Sequence, residues 1–106
     1  MRESEVEKYL VDRVKALGGE IRKVKWIGRN NAPDRFVMLP ARPRPIHDGD
    51  VLRTTGVSES TCFLVEVKAP GKKPTAAQLR EHQRLRRVGM RVEVVDSFER
   101  VDAVLR

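Results

Sequence analysis

Between residues 3 and 17 the apolar positions Val6, Leu10, Val14 and Leu17 fall three and four residues apart, with Tyr9 flanking them. That spacing lines one face of an α-helix. Gly18-Gly19 closes the pattern, as glycine commonly does at a helix C-terminus. The rhythm then changes. Ile21, Val24 and Trp26 alternate loosely among basic residues and predict a strand over 20–27, with a loop over 28–32. Phe36-Val37-Met38-Leu39 predicts a second strand over 34–39. Pro40, Pro43 and Pro45 follow, and proline cannot donate to a ladder, so this stretch reads as an edge, an extended loop or an irregular excursion. His47-Asp48-Gly49-Asp50 is a turn signature, with a short return strand over 51–55. Thr61 to Lys68 is apolar enough to be a central strand, and Cys62 reads there as a small buried hydrophobe.

Pro70-Gly71-Lys72-Lys73-Pro74 predicts a loop, and Thr75 opens a helix that runs to about Val88 and closes at Gly89. Residues 91–95 form a β-branched strand. Ser97 caps a last helix through Leu105, with Phe98, Val101, Val104 and Leu105 on its apolar side. The order is α-β-β-β-α-β-α, without internal repeats or a dividing linker. A chain of 106 residues suits one domain over 1–106 with a single core.

With 40% apolar and 35% charged residues the composition is that of a folded chain. A net charge of +7 points to acidic partners. Nucleic acid leads among them, because basic surfaces gain affinity by releasing counterions from phosphates. One cysteine excludes an intramolecular disulfide. No run approaches the ~20 apolar residues needed to cross a bilayer, and the charged N-terminus is unlike a signal peptide. The expected location is cytoplasmic. No Gly-rich phosphate loop, zinc-ligand spacing or serine-histidine-acid set is present, so kinase and hydrolase readings of those kinds have no support.

The chemistry concentrates at Glu66-Val67-Lys68. A strand repeats every two residues, so Glu66 and Lys68 share a face. An acid on a central strand must be compensated, and a cation with a neighbouring lysine would do so. Asp34, after Pro33, offers a second carboxylate for a hard divalent ion. If the second and third strands pair antiparallel, the start of one lies beside the end of the other and the two acids meet. The competing reading is a turn aspartate and a surface ion pair.

Taken together, Pro33-Asp34, Glu66-Val67-Lys68 and Thr75-Ala76-Ala77-Gln78 ahead of a basic helix resemble the PD-(D/E)XK nucleases. Within them the chain most resembles the VRR-NUC domain (virus-type replication-repair nuclease) in its stand-alone phage or bacterial form. The resemblance runs from the first helix to about Val95, and the order α-β-β-β-α-β matches that family's core. The stretch 40–61 is longer and richer in proline than the family pattern, and reads as an irregular insertion or a long hairpin.

The resemblance implies a restriction-endonuclease-like α/β fold, a central mixed sheet flanked by helices, with a C-terminal helix. It implies that Asp34 and Glu66 ligate Mg²⁺, or Mn²⁺ in its place, with the backbone carbonyl of Val67. Lys68 would orient or help deprotonate the attacking water. A first-helix glutamate would approach the metal, through water or directly. Glu7 is the choice, and Glu3, one turn earlier on the same face, is its rival. Gln78 would sit near the metal or phosphate, although Thr75 and Gln78 also read as a capping box.

Lys23, Lys25, Arg29, Lys72, Lys73, Arg80 and Arg84 are the candidate DNA contacts, against the alternative of a solvated face. Trp26 is expected in the core, although an indole near a loop can stack on an unpaired base. His82, one turn after Gln78, reads as a surface residue, with a place facing the phosphate as the alternative, and His47 with Asp48 and Asp50 reads as a turn rather than a metal site. The expected activity is Mg²⁺-dependent DNA hydrolysis leaving 5′-phosphates, on four-way junctions, by a homodimer whose two-fold axis relates two sites. No small-molecule cofactor is expected. A flap, nick or duplex-end nuclease and a non-catalytic DNA-binding module are the alternatives.

Overall fold

A computed structural model describes residues 1–42, 46–48, 51–53 and 59–106, with side chains described outside 41–60. Helix α1 (Glu3–Ala16) forms where the apolar spacing places it, and Val6, Leu10 and Val14 are fully buried. Leu17 is 40% exposed instead of continuing the stripe. It stands at the C-cap, and the chain turns away at Gly18, whose φ of +80° suits glycine.

Strand β1 (Glu20–Lys23) is shorter than its pattern suggests. The Val24 amide still donates to the Asp34 carbonyl at 2.8 Å, after which the chain leaves the ladder. Trp26 therefore falls in a loop and is 38% exposed, which corrects its expected place in the core. Strand β2 (Arg35–Arg42) carries an irregular register between Leu39 and Arg42, where Pro40 has no N–H to donate.

Two short antiparallel strands follow, β3 (Ile46–Asp48) and β4 (Val51–Arg53), and β4 stands where the short return strand over 51–55 is expected. His47 and Asp48 thus belong to a strand; Gly49 and Asp50, assigned to the turn, and Thr54 and Thr55 lie outside the described residues. Next come β5 (Glu59–Val67), α2 (Ala76–Arg87), β6 (Val92–Val95) and α3 (Phe98–Val104). Thr75 caps α2, and the Ser97 hydroxyl accepts the Arg100 amide at the start of α3.

The main sheet has the order β1-β2-β5-β6. It is mixed, because β5 runs antiparallel to β2 and parallel to β6. Alternation along β5 splits its residues between two layers. Phe63, Val65 and Val67 join Val37 from β2 and meet α1 and α3 in one core, with Val101, Val104 and Leu105. Tyr9 ties those two helices together: its ring stacks on Phe98 at 4.3 Å and its hydroxyl donates to Asp102 at 2.8 Å. Leu64 and Glu66 take the opposite face, where α2 brings His82 against Glu66. Cys62 is exposed, not buried as its neighbours suggested.

Close packing at the α1–β1 turn yields a stability prediction. A Cβ at Gly19 would lie 2.6 Å from the Met38 carbonyl oxygen and 3.1 Å from both Leu39 and Val14 side-chain carbons. Gly19→Ala is expected to destabilise the fold by about 1–3 kcal/mol through overpacking. Thermal unfolding reads this directly, and an unchanged midpoint would contradict it.

Candidate active site

The β2–β5 register pairs Arg35 with Val65. One step further along the same antiparallel register sets Asp34 across from Glu66, the juxtaposition expected from the sequence. Cross-strand neighbours of this kind point to the same face. Lys68 lies two residues on from Glu66, and its amide donates to the Val95 carbonyl at 2.9 Å, which fixes the chain just beyond β5.

Asp34 and Lys68 both act on Glu66 through their charges. Glu66 is only 9% exposed. Burial is the main cause that pushes its pKa up to about 7, Lys68 pulls it down, and the charges of Asp34 and Glu3 push it up. Two neighbouring acids and desolvation thus oppose its charge against one lysine.

His82 completes this cluster from the helix side. It is fully buried, and its Nε2 lies 3.3 Å from Glu66 Oε1. Burial first, then the charges of Arg86 and Lys68, hold the imidazole below its usual range, with Glu81 opposing. A neutral ring carrying its proton on Nε2 would donate to the Glu66 carboxylate. Among the described residues, its Nδ1 has no hydrogen-bond partner. The surface position expected for His82 is therefore wrong. Helix α2 has no apolar stripe, and the residues it buries are Glu81 and His82. The available signal was that His82 stands one turn from Gln78 on the same face.

Glu7 is placed differently from Glu3. It accepts hydrogen bonds from Arg35 Nε at 2.8 Å and from Arg35 Nη2. The same guanidinium lies 3.3 Å from the Asp34 carboxylate, so Glu7 connects to the site through Arg35. Glu3 is the first-helix acid whose charge reaches Glu66. No sequence motif marks Arg35. Its place beside Asp34 was the only hint.

Gln78 forms the capping box: its amide N–H donates to the Thr75 hydroxyl at 3.1 Å, and its side-chain oxygen accepts the Thr75 amide at 2.9 Å. Arg29 and Arg84 both engage Glu81, whose side chain is 5% exposed. Arg29 donates twice, at 3.1 and 2.6 Å, and its bonds are the first cause that holds the Glu81 carboxyl below its ordinary range. Lys23 and Lys25 join Arg29 around a cavity of about 550 Å³ that reaches Asp34. Lys72, Lys73 and Arg80 are exposed.

Among the described residues, no three His, Cys, Asp or Glu side chains converge as a metal-ligand group. Asp34 and Glu66 are the neighbouring carboxylates here, and with the Val67 carbonyl they would be the donors to a cation. Two adjacent carboxylates suit a hard divalent ion, and a cation beside Glu66 would stabilise the charged form that burial disfavours.

No protein-family model matches the sequence. A protein named "Putative nuclease p44", from Acyrthosiphon pisum secondary endosymbiont phage 1, is 41% identical over 97 residues, covering 92% of this chain and 85% of the relative. A solved structure described as a VRR_NUC domain aligns with a TM-score of 0.72 at 38% identity, covering 97% of this chain and 92% of that one. Mixed sheet, flanking helices and C-terminal helix, with this structural match, give the chain a PD-(D/E)XK-like α/β fold. The chain belongs to the VRR_NUC family, as its three motifs suggested.

Proposed function

We propose that this nuclease is a Mg²⁺- or Mn²⁺-dependent DNA endonuclease that acts on four-way junctions as a homodimer. The observation that carries the reading is the register that sets Asp34 across from Glu66, with Lys68 two residues on. Asp34, Glu66 and the Val67 carbonyl would hold the cation. Such an ion supplies Lewis-acid activation of water and neutralises charge at the phosphate.

The protein's own groups do the rest. Lys68 directs its ammonium at the attacking water and the developing phosphate charge, as a preorganised donor. His82 fixes the Glu66 carboxylate by donating to Oε1, leaving its other oxygen for the cation. Glu3 adds acidic charge at the same point, and Glu7 steadies Arg35 beside Asp34. The N-terminus of α2, with Gln78 in its first turn, presents amides toward phosphate. Lys23, Lys25, Arg29, Lys72, Lys73, Arg80 and Arg84 grip the backbone without reading sequence. Hydrolysis leaves a 5′-phosphate, and a DNA substrate sets the work in the cytoplasm of a bacterium or phage-infected cell.

A domain this small offers little surface for a branched substrate, and two copies about a two-fold axis would cut opposed strands. A second reading, a flap or duplex-end nuclease, draws on the exposed Trp26 beside Asp34. Light scattering on the protein and cleavage of matched junction, flap and duplex DNAs in Mg²⁺ or Mn²⁺ separate the two. A dimer making paired, symmetric cuts in the junction is expected. A monomer that cuts flaps or duplex alone would move the substrate, and DNA binding without any cleavage would leave a binding module.

A further inference from the structure

The loop between β1 and β2 is more tightly built than its composition requires. Three ties hold it. The Val24 amide donates to Asp34 O at 2.8 Å, the Trp26 indole N–H donates to Pro33 O at 2.9 Å, and Arg29 is clamped by the buried Glu81 of α2. Within this rigid frame Trp26 remains 38% exposed. The indole has spent its one polar atom on Pro33, so what it offers outward is π surface. An exposed large aromatic side chain forgoes the stabilisation of burial, yet here it is held in place.

The cavity around it has about 550 Å³, within the usual size of small-ligand pockets, and its lining includes Lys23, Lys25, Trp26, Arg29, Asn30 and Asp34. It thus combines an aromatic surface, amide groups for a base edge, cations for phosphate, and one of the proposed metal ligands. A paired base has both faces covered by its neighbours in the duplex. Away from a duplex end, only an unpaired base can bring a face to Trp26.

From this arrangement we infer that the Trp26 cavity is a subsite for one unpaired nucleotide adjoining the scissile phosphate. The inference rests on the reading of Asp34 as part of the cleavage site. Its base stacks on Trp26, its flanking phosphates meet Lys23, Lys25 and the clamped Arg29, and the strand then passes Asp34. Stacking on an aromatic ring tolerates every base, so the site selects a DNA structure rather than a sequence. The ties that hold the loop reduce the ordering cost of binding.

The test needs no cleavage. Trp26 is the chain's only tryptophan, so its fluorescence reports this site alone. Full-length wild type, Trp26→Phe and Trp26→Ala are titrated in EDTA with duplexes that do or do not carry one unpaired 2-aminopurine. Wild type should bind the unpaired form about 5- to 150-fold tighter, the equivalent of 1–3 kcal/mol per stacked base, with quenching of both fluorophores. Trp26→Ala should lose the preference while keeping its affinity for paired duplex, and Trp26→Phe should retain part of it. Equal wild-type affinity for the two DNAs, or a preference that survives Trp26→Ala, would overturn the subsite. Cleavage assays in Mg²⁺ decide the parent reading separately. Cutting without a Trp26-dependent preference removes the subsite alone; a preference without cutting removes the catalytic reading and leaves a binding site.

Discussion

Lys68→Ala is expected to slow phosphodiester cleavage by about 10²–10⁴-fold at saturating metal, with DNA affinity changed only a few-fold. The magnitude follows from two roles that the site gives this ammonium. It follows Glu66 by two residues, where under the proposed function it would act on water and phosphate. It is also the charge that holds the Glu66 pKa down against burial, Asp34 and Glu3. Its removal therefore raises the Glu66 pKa further, and the cation must compete with a more tightly held proton. Lys68→Arg separates the roles, because a guanidinium keeps the charge but does not give up its proton. It should restore metal affinity more than rate. Single-turnover cleavage at several Mg²⁺ concentrations measures both effects, and an alanine variant within tenfold of wild type at saturation would contradict them.

Glu66→Gln should abolish useful cleavage and, with the metal removed, make the protein more stable at alkaline pH. The folded state lifts this carboxyl from 4.5 to about 7, so between those values the native protein binds more protons than the unfolded chain. Stability then falls as pH rises through that window, reaching a cost of about 3 kcal/mol above pH 7. Glutamine has nearly the same shape, still accepts from His82 and carries no charge to desolvate. In EDTA the variant is expected to exceed wild type by up to about 3 kcal/mol at pH 8 and by little at pH 4.5. Added Mg²⁺ should narrow the gap by stabilising wild type alone. Denaturant unfolding at the two pH values checks this, and a gap that is the same at both would contradict the buried, raised carboxyl.

The parts of this fold legible in the sequence are those where one local rule acts alone. Val6, Leu10 and Val14 repeat at helical spacing with nothing to oppose them, and α1 follows. The apolar run before Glu66 could only be an inner strand, and an antiparallel partner beginning just after Asp34 made the carboxylates neighbours. Legibility failed where tertiary contacts decide. Helix α2 lacks an apolar stripe, so its pattern could not say that Glu81 and His82 face inward; their partners, Arg29 and Glu66, lie 52 and 16 residues away. Glu3 and Glu7 share a face of α1, and only the position of Arg35 separates their roles. Trp26 reads as core by hydrophobicity, yet the bond from its indole to Pro33 holds it in the loop. Alternation assigns Cys62 to a face of β5 but not to a covering element, and it is exposed.

Metal add-back to Asp34→Asn and wild-type protein, after stripping with EDTA, bears most directly on the assignment of Asp34 and Glu66 as a cation site for DNA cleavage. Stripped wild type should cut none of the junction, flap or duplex DNAs. Mg²⁺ or Mn²⁺ should restore cutting with 5′-phosphate products, and neither ion should restore it to Asp34→Asn. Cleavage that persists in EDTA, or an Asp34→Asn protein that cuts at the wild-type rate, would contradict that assignment.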